Sequence, residues 1–267
     1  MKNFLIDYIL HLADNALILG HRNSEWCGHG PVLEQDIAIT NISLDLIGQA
    51  RNFYQYAAKL MTDSKAPSPW ERGFGGEAGG ETTEDSLAYL RNPEDFKNCL
   101  LLELPRGDWA FTILRQFYFS NYQFFLFTAL LKSKDEQIAA IAEKSIKEVT
   151  YHLRWSSEWV IRLGDGTNES FKRMQNAIDD LSGYTDEFFI PADYEIKMAK
   201  EGIGVDPVTL RAAWQQKVNA VFSAANLPVI NNGNQMNGGK SGKHGDNLNS
   251  ILKDMQELQR TYPGAEW

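Results

Sequence analysis

The amino-acid sequence predicts an all-α protein: an elongated four-helix bundle with additional C-terminal helices. Three observations predict it. Apolar residues recur at helical spacing almost throughout. No segment shows the alternation of a strand. Four stretches read as helices of about 20–30 residues, the length that bundles use. No internal repeat is present, and the chain reads as one domain over 1–267.

Each element follows from its residues. Leu5, Ile9, Leu12, Ala16 and Leu19 step by 4, 3, 4, 3, with Ile6, Leu10, Ala13 and Leu17 beside them. Two adjacent stripes make the wide apolar face of a bundle helix. Gly28 to Pro31 ends it, and Pro31 suits the first turn of the next helix, over 31–62. That helix carries Leu33, Ile37, Leu44, Ile47 and Tyr54 on one side and Ile39, Ile42, Leu46 and Phe53 on another. Residues 63–83 hold two prolines and five glycines and read as a flexible loop. Short helices are predicted at 84–90 and 93–102, the second with Asn92 as cap and Pro93 in its first turn. Long helices follow at 107–132 and 135–163. Further helices are predicted at 168–189, 191–201, 207–226 and 246–261. Residues 227–245, rich in Gly and Asn, read as a second flexible loop.

Composition narrows the function. The chain has 267 residues, 43% hydrophobic and 23% charged, enough for a sizeable core without disulfides. Its 35 acids and 26 bases leave a net charge of −9, which argues against nucleic acid as a partner. Two cysteines, Cys27 and Cys99, make no disulfide framework and no CxxC knuckle. The opening MKNFLIDYILHLADN does not read as a signal peptide, so a cytoplasmic location is expected. Trp109 to Leu131 is long enough to span a membrane, but Arg115, Gln116, Asn121 and Gln123 interrupt it. With a mean hydropathy of −0.37, a helix buried within a bundle is the better reading.

A long helical bundle invites one chemical test. Carboxylate-bridged di-iron sites need a Glu on each of two helices and a Glu-x-x-His on each of the other two. The residues three before His11, His21, His29, His152 and His244 are Tyr8, Ile18, Trp26, Val149 and Ser241. None is acidic. Asn41, Asp45, Gly48 and Asn52 form a polar line, with Asp45-x-x-Gly48 where such a motif would lie. Glu148 precedes His152 by four residues. The helix over 107–132 offers no acid after Asp108. What remains looks like fragments of such a site: Asp14, Asp45, Arg115, Glu148 and His152 are expected to form a buried polar network, with a solvated surface placement or a metal as the alternatives.

Other patterns carry less. Gly73 to Glu81 resembles a phosphate loop only in its glycines. Cys27 with His29 lacks a third, orienting group, and Glu25 and His29 are a candidate pair across that turn. Gly239-Lys-Ser-Gly-Lys-His244 is a small basic cluster, read as a solvated loop, or else as a site for an anionic ligand or an acidic partner surface.

Several segments carry a family resemblance. They are Leu12-Ala-Asp-Asn15, Glu25-Trp-Cys-Gly-His29, Leu44-Asp-Leu-Ile-Gly-Gln-Ala-Arg-Asn-Phe53 and Ile146-Lys-Glu-Val-Thr-Tyr-His-Leu-Arg154. Asp206-Pro207, Leu210-Arg-Ala-Ala-Trp214 and Tyr262-Pro-Gly-Ala-Glu-Trp267 complete the set. Together they resemble the C-type, non-catalytic subunits of the bacterial phenylacetyl-CoA epoxidases, and they span nearly the whole chain. The 63–83 loop is longer and richer in glycine than the family leads one to expect.

The resemblance implies a ferritin-like fold, with no catalytic residue, metal or cofactor in this chain. It implies an A-type partner that carries the di-iron centre and epoxidises the ring of phenylacetyl-CoA in aerobic phenylacetate degradation. The C-type chain would pair with that partner and stabilise it, with other subunits in the complex and a homodimer as the form open to it alone. It would also help receive the CoA thioester. By the resemblance, Asp95, Phe96, Lys97 and Asn98, with Ile196, Lys197 and Met198, would approach that ligand. Two alternatives stand beside this reading. One is a metal-binding ferritin-like enzyme using Asp45, Glu148 and His152. The other is a binding protein acting alone on CoA thioesters.

Overall fold

The computed structural model describes residues 2–64, 82–228, 235–262 and 265. Among them are ten α-helices and no strand. The four long ones are α1 (Lys2–Ser24), α2 (Leu33–Ser64), α5 (Trp109–Leu130) and α6 (Glu136–Gly164). Between them lie α3 (Glu84–Tyr89) and α4 (Leu100–Glu103). After them come α7 (Asn168–Thr185), α8 (Asp193–Glu201), α9 (Arg211–Ala224) and α10 (Asp246–Thr261). The fold is the expected all-α bundle.

The long helices pack as two antiparallel hairpins, α1 with α2 and α5 with α6, joined mainly through α2 and α6. Side-chain caps start several of these elements. Asp108, Asp135, Thr167 and Asp206 each accept a backbone N–H of the following turn. The α1–α2 turn uses Gly28 at φ 78°, and Gly30 donates its N–H to Asp36. The Asp36 carboxyl is held below its ordinary range by N–H groups of that turn, Gly30 first.

The helix α5 is buried on most sides, so its polar residues must find partners inside. Asn121 donates to the Trp214 carbonyl at 2.9 Å, and the Trp214 indole donates to the Tyr118 carbonyl at 3.0 Å. These bonds fix α9 against α5. At one end, Trp26, Trp155 and Trp159 each meet Trp109 edge-on. No described helix is long and apolar enough to cross a membrane.

Two expectations need correction. The helix predicted over 93–102 is broken into a 3-10 turn, Pro93–Asp95, and α4, with residues 96–99 extended between them. Helical bonding would take away the backbone groups that outside partners hold there. Asp14 accepts from Lys97 N at 2.8 Å, Asn15 from Cys99 N at 2.8 Å, and Glu187 from Leu100 N at 2.6 Å. The second correction concerns 227–245: residues 235–245 are packed as a strap against the bundle and are not a free loop. Of the first loop, residues 65–81 lie outside the described residues, and with them the Gly73–Glu81 pattern.

Candidate functional site

The five residues expected to form one network fall into three separate places. Asp14, fully buried on α1, accepts from Tyr54 of α2 at 2.5 Å and from both terminal nitrogens of Arg91. Arg91 is also fully buried and stacks over Phe96, 4.0 Å from the ring centre. Burial opposes the Arg91 charge, but Asp14 outweighs it and the pKa is raised. Burial and the Asp14 charge push the Tyr54 phenol up, so it stays a donor. The charge partner of Asp14 is thus Arg91, not Arg115.

Arg115 lies elsewhere. It donates to the carbonyls of Leu104 and Pro105 and makes no ion pair, with Glu25 the carboxylate whose charge it feels. Burial, then the nearby Arg22 charge, pulls it down to about 9.

Asp45, Glu148 and His152 lie along the seam between α2 and α6, but in two separate pairs. His152 Nε2 lies 2.9 Å from Asp45 Oδ2. One turn along, Gln49 Nε2 donates to Glu148 Oε2 at 2.9 Å, and Gln123 of α5 donates to Gln49 Oε1 at 2.8 Å. The polar line on α2 faces outward at two points: Asn41 and Gly48 are exposed, and a Cβ on Gly48 would meet only open space. The inward position is Gln49, which is 1% exposed.

This donor set does not fit a carboxylate-bridged di-iron centre. Such a centre needs four carboxylates and two histidines. Here two of the inward positions are amides, and each carboxylate is already engaged by one neighbour. Among the described residues, no three His, Cys, Asp or Glu side chains converge as metal ligands. The Glu25–His29 pair does not form either. Glu25 pairs with Arg22 at 2.7 Å, and His29 bonds the Cys27 carbonyl.

The segments proposed for the CoA thioester are brought near each other, since Lys97 Nζ lies over the Tyr194 ring of α8. Most of their side chains face inward. Phe96, Asn98 and Met198 are fully buried, and Asn98 donates to Glu103. Asp95 accepts from Asn92 N and closes its own turn. Lys97 pairs with Asp7 at 3.4 Å, and Lys197 with Glu201 at 3.0 Å. Ile196 is exposed. Lys97, Ile196 and Lys197 lie outside the core, and the two lysines would meet a ligand by leaving their ion pairs.

The basic cluster is solvated only in part: Ser241 and Lys243 are exposed, while Lys240 and His244 turn inward. Lys240 is buried against both oxygens of Glu195, at 3.0 and 3.1 Å, and His244 bonds Glu103 at 2.7 Å. Sequence reasoning passed over Gln49, Arg91, Glu103, Glu187 and Glu195. Gln123 had a signal, as a polar break in an apolar helix. The others pair with residues 45 to 165 positions away or sit in segments with no periodic pattern.

A helical bundle whose interior polar positions are closed by amides and ion pairs is what the fold and site define. The chain belongs to the phenylacetic acid catabolic protein family, whose sequence model matches residues 1–267. It is 46% identical over 265 residues to the C-type subunit of the 1,2-phenylacetyl-CoA epoxidase of Escherichia coli (strain K12). That match covers 99% of this chain and 100% of the relative.

Proposed function

We propose that this chain is the non-catalytic C-type subunit of a phenylacetyl-CoA epoxidase, acting in the cytoplasm in aerobic phenylacetate degradation. The observation that carries the reading is the end-to-end identity of 46% with a relative of that name. In this reading the di-iron centre and the oxygen chemistry belong to an A-type partner. This chain holds no iron of its own, and its role is to bind and stabilise that partner.

Two features support the assignment. The α2–α5–α6 interior is filled by Gln49 and Gln123, so the bundle stays closed where a metal centre would need donors. In addition, α2 shows a second apolar stripe to solvent, with Leu33, Ile37 and Leu44 at 73, 52 and 61% exposure. An apolar stripe at helical spacing suits a helical partner surface. We assign it to the A-type partner, and the CoA contact to Lys97, Ile196 and Lys197.

The test is reconstitution. The chain and an A-type partner are purified separately, mixed, and followed by size exclusion. Ring epoxidation is then assayed with the remaining components present. The proposal expects a mixed complex and activity only when both chains are present. Activity of this chain without the A-type partner, or failure to form a complex, would overturn it.

A further inference from the structure

Residues 235–245 cross residues 94–100 as a strap and lead into α10. The crossing is so close that a Cβ on Gly239 would collide with the Asn98 carbonyl, and one on Gly242 with the Glu94 carbonyl. Gly242 also has φ 78°, in the left-handed region. Three buried clasps hold the strap. Glu187 accepts the N–H groups of Gly238 and Gly239, both at 2.8 Å. Lys240 pairs with Glu195 and donates to the carbonyls of Phe188 and Ile190. His244 closes the far end.

The chemistry of that last clasp is specific. His244 Nδ1 lies 2.7 Å from Glu103 Oε2, and Nε2 lies 2.9 Å from the Phe96 carbonyl. A carbonyl can only accept. Glu103 also receives Asn98 Nδ2 at 3.1 Å and Gly245 N at 3.4 Å, the surroundings of a carboxylate. Both ring nitrogens therefore face acceptor atoms, and with Glu103 as a carboxylate both bonds form only when both nitrogens carry a proton. A neutral imidazole has one N–H and would leave one of the two bonds unmade.

We infer that residues 235–245 form a proton-locked strap: the His244 imidazolium fastens it to residues 96–103, and loss of that proton loosens it and uncovers residues 94–100. The charged groups facing His244 agree with this. Glu103 of α4 is in contact, and Asp14 of α1 lies behind it, matched by Arg91. Arg22 of α1 donates to the backbone carbonyl of Glu103, not to its carboxylate. Burial favours the neutral ring. The bonds to Glu103 and to the Phe96 carbonyl, with the Glu103 and Asp14 charges, outweigh it and raise the pKa above the usual 6.5. A raised histidine pKa gives stability that is complete below about pH 6.5 and lost as pH rises to the folded value.

The test uses the full chain. Hydrogen exchange at 235–245 and 94–100 is measured from about pH 6 to 9, corrected for intrinsic rates. Histidine ring nitrogens are followed by NMR, with His244 identified by the signal missing from His244→Gln. Strap opening should rise by up to about tenfold per pH unit above pH 6.5 and then level off. The His244 ring should be doubly protonated at neutral pH. His244→Gln should give a flat profile, and Glu103→Gln should shrink the rise, which levels off at lower pH than in the wild type. A neutral His244 ring at pH 6.5, or a wild-type profile as flat as that of His244→Gln, would overturn the inference. If either variant does not fold, the wild-type titration and exchange profile decide alone.

Discussion

Asp14 shows how one buried carboxylate organises this bundle. Arg91, Tyr54 and Lys97 N converge on it from three segments, so both of its oxygens have donors. Removing one ion partner leaves a buried charge unmatched. Arg91→Met should cost about 3–5 kcal/mol. Tyr54→Phe removes one donor of several and should cost only about 1–2 kcal/mol. Both are read as shifts in the denaturant midpoint. An Arg91→Met loss as small as that of Tyr54→Phe would mean that Asp14 is not held as a charge. The need for a partner to Asp14 was legible in the sequence. Its identity was not, because Arg91 lies 77 positions away and outside any helical stripe. Arg115 drew attention as the one charge of an apolar helix, yet its bonds go to carbonyls.

At the scale of elements, α2 explains why pattern alone locates helices better than sites. Both of its apolar stripes were visible from spacing. The structure buries Ile39, Ile42, Leu46 and Phe53; of the other stripe it leaves Leu33, Ile37 and Leu44 outside, half-buries Ile47 and fully buries Tyr54. Hydrophobic spacing cannot say which of two stripes a partner covers. Leu44→Asp should therefore leave the stability of the isolated chain within about 0.5 kcal/mol. It should also weaken binding to the A-type partner by tenfold or more, the scale of about 1.4 kcal/mol or above. Denaturation of the variant and its titration against that partner check the two halves. The strap makes a second case. Its glycines read as flexibility in the sequence, but in the structure they permit close backbone approach. Gly239→Ala should push the strap off residues 98–100 and raise proteolytic cleavage within 235–245, leaving the four long helices intact. Unchanged cleavage would show that the crossing tolerates a side chain.

At the scale of the whole molecule, helical period, caps and the absence of strands were enough to read the bundle. The short range of those signals is the reason. The extended segment 96–99 escaped because its partners, Asp14 and Asn15, are distant in sequence, as is Glu187, which holds Leu100 N just after it. The interior of the α2–α5–α6 region escaped in part for the same reason. Gln49 lies on α2 beside the more conspicuous Asp45, and only the packing shows which one points inward. On the proposed CoA surface, Lys97→Ala with Lys197→Ala should raise KM for the thioester in the reconstituted complex and leave kcat within about twofold. A fall in kcat with KM unchanged would place these lysines away from the ligand.

The central claim is that this bundle is a partner to a metal-bearing chain and not itself one. Iron measured by plasma mass spectrometry tests it most directly, on the chain alone and again with the A-type partner. The account predicts iron only in the complex, at about two atoms per A-type chain. Near-stoichiometric iron in the isolated chain would contradict it, and Asp45, Glu148 and His152 would be the first ligands to replace.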